Sequence, residues 1–156
     1  MGGGTIVCGV TDSPESRAAA QLAGALSARL GLRLVLAHVV NGLPSEALDS
    51  VSGQQSLNGA ERTLREIGRE VQPYNGTESR IAVGDRAERL AQFAAEEGAD
   101  LLVIGSRPHG FRGRHLRSTL ARELEAATPV PVLIAPPQTR KRTGRRLAVA
   151  EASAAR

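Results

Sequence analysis

The sequence predicts an α/β fold, in which a doubly wound parallel sheet of five strands carries helices on both faces. Short β-branched and aliphatic runs alternate with helical stripes in the order βαβαβαβαβ, which is typical of parallel sheets with right-handed crossovers. Two of the runs, 32–40 and 100–105, are almost continuously apolar, as expected of strands that are covered on both faces. Together these observations predict the Rossmann-like class.

The first strand is predicted over Thr5–Val10, and the first helix follows almost at once. Ser13 is the expected N-cap, with Pro14 at the first helical position, and Gly31 is expected to end the helix. The helix is predicted to bury a stripe at helical spacing, formed by Ala19, Leu22, Ala23, Leu26 and Leu30. The second strand then covers Leu32–Val40.

The middle of the chain contains a long predicted loop, two helices and a short strand. Asn41–Gly59 is polar and rich in Gly and Ser, which predicts the loop. The helix after it has an apolar face of Ala60, Leu64, Ile67 and Val71. The strand Ser79–Val83 follows, and Asp85 and Glu88 have capping-box spacing at the start of the next helix. Gly98 ends this helix, whose predicted buried face comprises Leu90, Ala91, Ala94 and Ala95.

The last part of the body contains two strands and one helix. Asp100–Gly105 is the clearest buried strand of the sequence. Ser106–Arg117 is a loop rich in Gly and Arg, and it leads to a helix with an apolar stripe of Leu116, Leu120 and Leu124. The final strand is predicted over Val130–Ala135. Because Pro131 has no N–H for a strand ladder, we expect this strand at an edge of the sheet.

The composition predicts one soluble domain with an aliphatic core. The chain has 156 residues, and only 2% are aromatic, so Ala, Val, Leu and Ile must fill the interior. No apolar run reaches the ~18 residues that a membrane span needs. Cys8 is the only cysteine, which excludes an internal disulfide and a cysteine-based metal cluster, and its place in a strand predicts an inert thiol. We therefore expect a cytoplasmic protein without a metal.

The net charge of +4 is unevenly distributed along the chain. Residues 138–156 have a formal charge of +5, and the other 137 residues sum to −1. The predicted organisation is therefore one domain over 1–137 and a basic, disordered tail over 138–156. A solubilising tail is favoured over one that contacts nucleic acid, because no aromatic residues stand between the charges for base stacking.

Two segments are predicted at the place where open α/β sheets bind ligands, beyond the carboxyl ends of the strands at the reversal of strand order. They are 10–13 after the first strand and 105–119 after the fourth. The second contains Gly105, Gly110, Gly113 and the helix start Ser118-Thr119, which favour phosphate, and four arginines, Arg107, Arg112, Arg114 and Arg117. These residues fit either an anion site or a solvated loop, and they form neither a Walker loop nor a GxGxxG fingerprint.

The three histidines give weaker signals. His38 ends an apolar strand, and we expect it to be a partly buried residue with a hydrogen-bond partner rather than a base. His109 and His115 lie in the basic loop, but no paired carboxylates or cysteines accompany them, so no metal site is expected. No catalytic residue is predicted.

Several short motifs occur along the chain in the same order as in one protein family. They are IVCGVTDSPES at 6–16, AHVV at 37–40, Val83-Gly84, ADLLVIGSR at 99–107 and TPVPVLI at 128–134. Through them, residues 5–136 resemble the universal stress protein family. The resemblance implies the strand order 3-2-1-4-5, a role in stress tolerance, and a homodimer that often pairs through the fifth strand, here Val130–Ala135. It also implies that one branch binds ATP while another does not.

The chain matches the motif of the ATP-binding branch only in part. That branch has Gly-x2-Gly-x9-Gly-Ser/Thr after the fourth strand and an Asp after the first. Gly105 and Thr119 keep the first glycine and the hydroxyl, whereas Pro108, Ser118 and Thr11 replace two glycines and the Asp. The resemblance thus places the remains of a nucleotide site at Thr11, Val39, Gly105, Arg107, Pro108, Ser118 and Thr119, with Val39 on the adenine side.

The replacements are expected to weaken nucleotide binding. Pro108 has no N–H to donate to a phosphate, Ser118 adds a side chain where a phosphate would approach, and Thr11 lacks a carboxylate. Each lost hydrogen bond to a charged group costs ~1.5–3 kcal/mol, so two or three losses lower the affinity by orders of magnitude. Charge-assisted contacts from the arginines would offset part of this loss.

Three functional hypotheses follow. The leading one is a non-enzymatic binding or regulatory module with a degenerate adenine-nucleotide site, whose ligand is a weakly held nucleotide or another phosphorylated metabolite. The alternative is an ATP-binding protein with slow hydrolysis, in which the Arg-rich loop supplies the missing contacts. The third is a polyanion-binding protein that acts through residues 138–156.

Overall fold

The structure, a computed structural model, describes residues 3–106 and 119–137. Its five strands are parallel and lie in the order β3-β2-β1-β4-β5, which confirms the expected fold class and strand order. The strands are β1 (Thr5–Gly9), β2 (Arg33–Val40), β3 (Thr77–Val83), β4 (Leu101–Gly105) and β5 (Val132–Ala135). The helices are α1 (Pro14–Leu30), α2 (Val51–Glu70), α3 (Arg86–Glu96) and α4 (Thr119–Ala127), with a 3₁₀ turn at Ser45–Ala47.

The core consists of two apolar layers, one on each face of the sheet. On one face, α1 and α2 pack against strand residues such as Ile6 and Leu36. On the other face, α3 and α4 pack against Val7 and Leu102. Within the described residues Phe93 is the one aromatic side chain of the core, so the interior is aliphatic, as the composition predicts.

Helix α1 begins and ends where the sequence predicts, but its buried face differs. The Ser13 Oγ accepts a hydrogen bond from the Ser16 N–H at 3.2 Å, and Gly31 ends the helix in the left-handed region, with φ of 66°. The predicted stripe is wrong at Leu30, which is 63% exposed. The helix instead buries small residues, among them Ala19, Ala20, Ala23, Gly24 and Ser27. Small side chains let the helix approach the strands closely, and that approach fixes its rotation.

The predicted loop over Asn41–Gly59 is wrong in its second half, because α2 begins at Val51. The Ser50 Oγ accepts a hydrogen bond from the Gly53 N–H at 3.1 Å and caps the helix. A Cβ at Gly53 would collide with the Ala47 carbonyl, so this glycine lets the 3₁₀ turn pack against the helix. The cap and this packing override the low helix propensity of the segment.

Helix α3 has the predicted N-cap and a different buried face. The Asp85 Oδ1 accepts a hydrogen bond from the Glu88 N–H at 2.9 Å. The buried residues of the helix are Ala87, Leu90, Phe93 and Ala94, so the predicted face is wrong at Ala95, which is exposed, and at Ala91, which is half-buried. The large side chains of Leu90 and Phe93 set the rotation of the helix, because alanines bury too little area to compete.

The last strand lies at the edge of the sheet, as Pro131 predicts. β5 starts at Val132 rather than at Val130, and Pro131 contributes its carbonyl, which accepts a hydrogen bond from the Leu102 N–H at 2.9 Å. The proposed division into a body and a tail at residue 138 lies outside the described residues, as does Leu116 of the predicted stripe before α4.

The loop between α2 and β3 carries the only tyrosine of the chain. The Tyr74 backbone N–H donates to the Ser27 Oγ at 3.1 Å, while the residue itself is 59% exposed.

No helix within 3–106 and 119–137 combines the length and the apolar character that crossing a membrane requires.

Candidate functional site

A cavity of about 510 Å³ opens at the carboxyl ends of β1, β2 and β4, where the strand order reverses. Its β2 side is formed by Val39 together with Arg86 and Leu90 of α3, and its β4 side contains Gly105 and Ser106. The end of β1 and the first turn of α1 lie between the two sides. This cavity, called the candidate pocket below, has the volume of an ordinary small-molecule site.

The loop from β1 to α1 lines the candidate pocket with hydroxyl groups that bind one another. The Thr11 N–H donates to the Ser16 Oγ at 2.6 Å, and the Thr11 Oγ1 donates to the Ser13 Oγ at 3.1 Å. The same Ser13 oxygen caps α1. Thr11 therefore lies in the cavity, as the sequence predicts, but its amide is already used within the loop.

Asp12 turns away from the candidate pocket. Its carboxylate pairs with Arg17 at 2.8 Å, and its side chain is 73% exposed. The same guanidinium also contacts Glu66 at 3.1 Å and Glu70. Asp12 therefore does not take over the role of the carboxylate that is missing at Thr11.

The β2 side of the candidate pocket is apolar except for one cation. Val39 and Leu90 are almost completely buried there. Arg86 is the first residue of α3, and the Gly84 N–H donates to the Val40 carbonyl at 3.1 Å, which holds the start of this helix beside the end of β2. Sequence reasoning placed Val39 here and missed Arg86, because no motif links residues so far apart in the chain.

The β4 side contains Gly105, a predicted site residue, and Ser106. A Cβ at Gly105 would lie 2.7 Å from the Glu15 carbonyl oxygen, so the approach of α1 already requires this glycine, whatever a ligand requires. The Ser106 Oγ is buried in the cavity wall and has no hydrogen-bond partner within residues 3–106 and 119–137. The sequence places Ser106 in the predicted ligand segment 105–119 and in the motif at 99–107, but it does not show that the hydroxyl group is unpaired.

The other expected site residues do not join the cavity within the described chain. Thr119 is exposed at the start of α4, and the next residue, Leu120, lines the cavity instead. The remaining candidates lie outside the described residues; they are Arg107, Pro108, Ser118, the other loop arginines, His109 and His115.

A second, more open cavity of about 690 Å³ lies between α2 and the carboxyl end of β2, and we call it the α2 cleft. It shares Thr11, Val39 and Arg86 with the candidate pocket and adds His38. Burial and the nearby Arg86 charge lower the pKa of His38. The imidazole is partly buried and has a backbone hydrogen bond with Val10, as expected, whereas its Nδ1 has no partner among the described residues.

Cys8 has no role in this site. It is completely buried in β1, and burial raises the pKa of its thiol to about 12, so the nucleophilic thiolate is not formed near neutral pH. Among the described residues, no three His, Cys, Asp or Glu side chains are grouped so that they could hold a metal ion.

Comparison with known proteins identifies a family. The model of the universal stress protein family matches residues 4–136. A universal stress protein of Thermus aquaticus is 27% identical over an alignment of 133 residues, and the match covers 83% of this chain and 96% of that protein.

Solved structures of similar proteins have the same fold. The universal stress protein UspA of Lactobacillus plantarum has a TM-score of 0.72 and 18% identity, over 87% of this chain and 99% of that one. A universal stress protein of Archaeoglobus fulgidus in complex with dAMP has a TM-score of 0.69 and 18% identity, over 87% and 100% of the two chains. At these identities the structures establish the fold.

Proposed function

Because this chain belongs to the universal stress protein family, we propose that it is a non-enzymatic binding module whose candidate pocket holds an adenine nucleotide weakly. The observation that carries the proposal is the Ser106 Oγ in the pocket wall, which has no partner in the part of the chain that the structure describes. A buried polar group without a partner costs about 1–3 kcal/mol, and a phosphate or ribose oxygen would supply that partner. The dAMP bound to the Archaeoglobus protein supports this class of ligand.

The hydrogen bonds within the β1–α1 loop support the proposal that the nucleotide is bound weakly. Thr11 brings no carboxylate, its N–H already donates to Ser16, and the nearby Asp12 carboxylate pairs with Arg17. Few donors and acceptors of this loop are therefore left for a ligand. The ligand then depends on apolar contacts and on Ser106, which together correspond to a weak complex.

The alternative is an ATP-binding protein with slow hydrolysis. It is favoured by the sequence directly after Ser106, which contains Arg107, Arg112, Arg114 and Arg117, since guanidinium groups bind phosphates in bidentate fashion. In this case ATP binds tightly, and inorganic phosphate is released slowly.

The leading hypothesis also allows a phosphorylated metabolite other than a nucleotide as the ligand. Such a metabolite would bind without competition from AMP.

The test is calorimetric titration of the full chain with AMP, ADP and ATP. We expect saturable binding with dissociation constants above about 0.1 mM, and no release of phosphate from ATP. Replacement Ser106→Ala should weaken binding about ten- to hundredfold, because one hydrogen bond to a charged group is lost. Ser79→Ala is the matched control, since Ser79 is exposed on β3 away from the cavity.

Three outcomes decide between the hypotheses. Micromolar binding of ATP with turnover would support the alternative and contradict the weak site. Equal effects of Ser106→Ala and Ser79→Ala would remove the observation on which the proposal rests. The absence of saturable binding by all three nucleotides would contradict it outright.

A further inference from the structure

Helix α2 carries a line of three arginines on its solvent side. Arg62, Arg65 and Arg69 follow one another at three- and four-residue spacing, so they lie on one stripe of the helix. Ala60 and Ile67 of the same helix are buried, and each precedes an arginine of the line by two residues, which is about half a turn. The three arginines, called the arginine stripe below, therefore lie opposite the core, and all of them are exposed.

The arginine stripe makes no ion pair or hydrogen bond of its side chains within residues 3–106 and 119–137. The nearest acidic residue of the helix, Glu66, lies four residues after Arg62 and three before Arg69, a spacing at which it could pair with either. It contacts Arg17 of α1 instead, at 3.1 Å. The link between the two helices thus leaves the positive charge of the stripe uncompensated.

Carboxylates flank the arginine stripe on both sides. Glu61 comes one residue before Arg62, and Glu66 comes one residue after Arg65, so the two carboxylates lie on opposite sides of the stripe. The positive surface is therefore narrow and has two negative edges. A broad polyanion, such as a nucleic-acid duplex or an anionic bilayer, would meet both edges with its own charge. A narrow acidic surface would meet only the arginines.

A groove of about 520 Å³ opens beside the first half of the stripe. Its lining is polar and belongs entirely to α2; it consists of Gln55, Asn58, Gly59, Glu61, Arg62 and Arg65. A Cβ at Gly59 would meet nothing within 4 Å, so the missing side chain keeps this part of the groove open. The surface therefore offers a partner a recess as well as a line of charge.

We propose that the arginine stripe docks an acidic helical segment of a partner protein. Such a helix carries carboxylates at the same three- and four-residue spacing, and guanidinium groups bind carboxylates in bidentate fashion. Basic residues beside those carboxylates face the flanking glutamates, and one side chain of the partner enters the groove at Gly59. A second copy of α2 does not fit, because it would place arginines against arginines. The stripe acts apart from the nucleotide site, since Arg65 lines neither the candidate pocket nor the α2 cleft.

The probe is a synthetic helical peptide of about 20 residues, with glutamates on one stripe and lysines beside them. The control peptide has the same composition, with its glutamates distributed around the helix. Fluorescence anisotropy with the full chain at about 0.15 M salt should show the striped peptide binding about tenfold more tightly. The formal charge of +5 on residues 138–156 attracts both peptides alike and cancels in this comparison.

Replacement Arg65→Glu should weaken binding of the striped peptide about tenfold, because a repulsion replaces an attraction at the centre of the stripe. A peptide with lysine in place of its central glutamate should restore binding to this variant. Arg122→Glu is the matched control, since Arg122 is exposed on α4, which packs on the other face of the sheet. Gly59→Leu fills the groove without a change of charge and should also lower the affinity. Thermal unfolding verifies that the variants fold.

The comparison of the two peptides tests the proposal even if a variant fails to fold. Equal binding of both peptides by the wild-type chain would overturn it, as would equal effects of Arg65→Glu and Arg122→Glu. Duplex DNA that binds more tightly than the striped peptide, and that loses affinity in Arg65→Glu but not in Gly59→Leu, would assign the stripe to a polyanion and contradict the docking of an acidic helix.

Discussion

At Gly105 the backbone of β4 passes so close to α1 that a Cβ would lie 2.7 Å from the Glu15 carbonyl oxygen. At Gly59, in the middle of α2, the same added atom would meet nothing within 4 Å. A glycine within a helix costs about 0.5–1 kcal/mol relative to alanine. The first glycine is thus required by packing, whereas nothing in the described structure requires the second.

We therefore expect opposite effects from two identical substitutions. Gly105→Ala should lower the free energy of unfolding by about 1–3 kcal/mol, because the added methyl group overpacks a rigid backbone contact. Gly59→Ala should raise it by about 0.5–1 kcal/mol. Urea unfolding of both variants measures the two changes. A neutral Gly105→Ala would show that α1 and β4 can move apart and that the glycine serves another purpose.

At the scale of elements, one carboxylate joins the amino-terminal end of the sheet to the end of α3. Glu97 accepts hydrogen bonds from Arg80 of β3 at 2.7 Å and from Arg33 of β2 at 2.6 Å. The hydrogen bond from Arg80 and that from Arg33 lower the pKa of Glu97, against the opposing effect of burial. Its side chain is only 7% exposed, so solvent screens this contact less than it screens an ordinary surface pair.

The stability that Glu97 provides should therefore be lost in acid. Its pKa in the folded state lies below the unfolded value of ~4.3, so the contribution is present above that pH and disappears as the pH falls through the folded pKa. Glu97→Gln should cost about 1 kcal/mol at pH 7, and the cost should shrink near about pH 3. Urea unfolding at both pH values measures it, with Glu96→Gln as control. A cost independent of pH would contradict this account.

The elements that begin with a local cap could be predicted from the sequence, and those fixed by distant packing could not. Ser13 and Asp85 mark the starts of α1 and α3 because each binds an amide three residues later. The start of α2 was not predicted, because the sequence does not show that Gly53 packs against the 3₁₀ turn before the helix. Likewise Thr11 and Val39 follow from motif spacing, whereas Arg86 reaches the pocket through the pairing of β2 with β3.

At the scale of the whole molecule, β5 leaves one edge of the sheet without a neighbouring strand in the described chain. Its residues Val132, Leu133 and Ile134 are only half-buried. The strand contains no charge, and an apolar edge of this kind is a template for pairing with another strand. We propose on this basis a homodimer through β5.

Sedimentation at tens of micromolar should accordingly show a dimer. Val132→Lys should shift it toward the monomer, because a lysine would be buried at the paired edge. Leu30→Lys is the control, since Leu30 is exposed at the end of α1 and remote from β5. A monomeric wild-type chain, or a dimer that tolerates Val132→Lys, would contradict this interface.

The basic segment after residue 137 should be separable from the ligand site. Deleting 138–156 changes the formal net charge from +4 to −1, and we expect the affinity for nucleotides to remain unchanged. Chromatography on immobilised DNA at about 0.15 M salt tests the hypothesis that this segment binds polyanions. Retention of the full chain but not of the truncated one would support polyanion binding and contradict a purely solubilising role.

The scarcity of aromatic residues has a practical consequence for optical work. With Tyr74 as the only tyrosine and no tryptophan, the purified chain absorbs little near 280 nm. A nucleotide that accompanies the protein from the cell would therefore dominate the ultraviolet spectrum, and its absorption maximum would indicate the kind of base before any titration is begun.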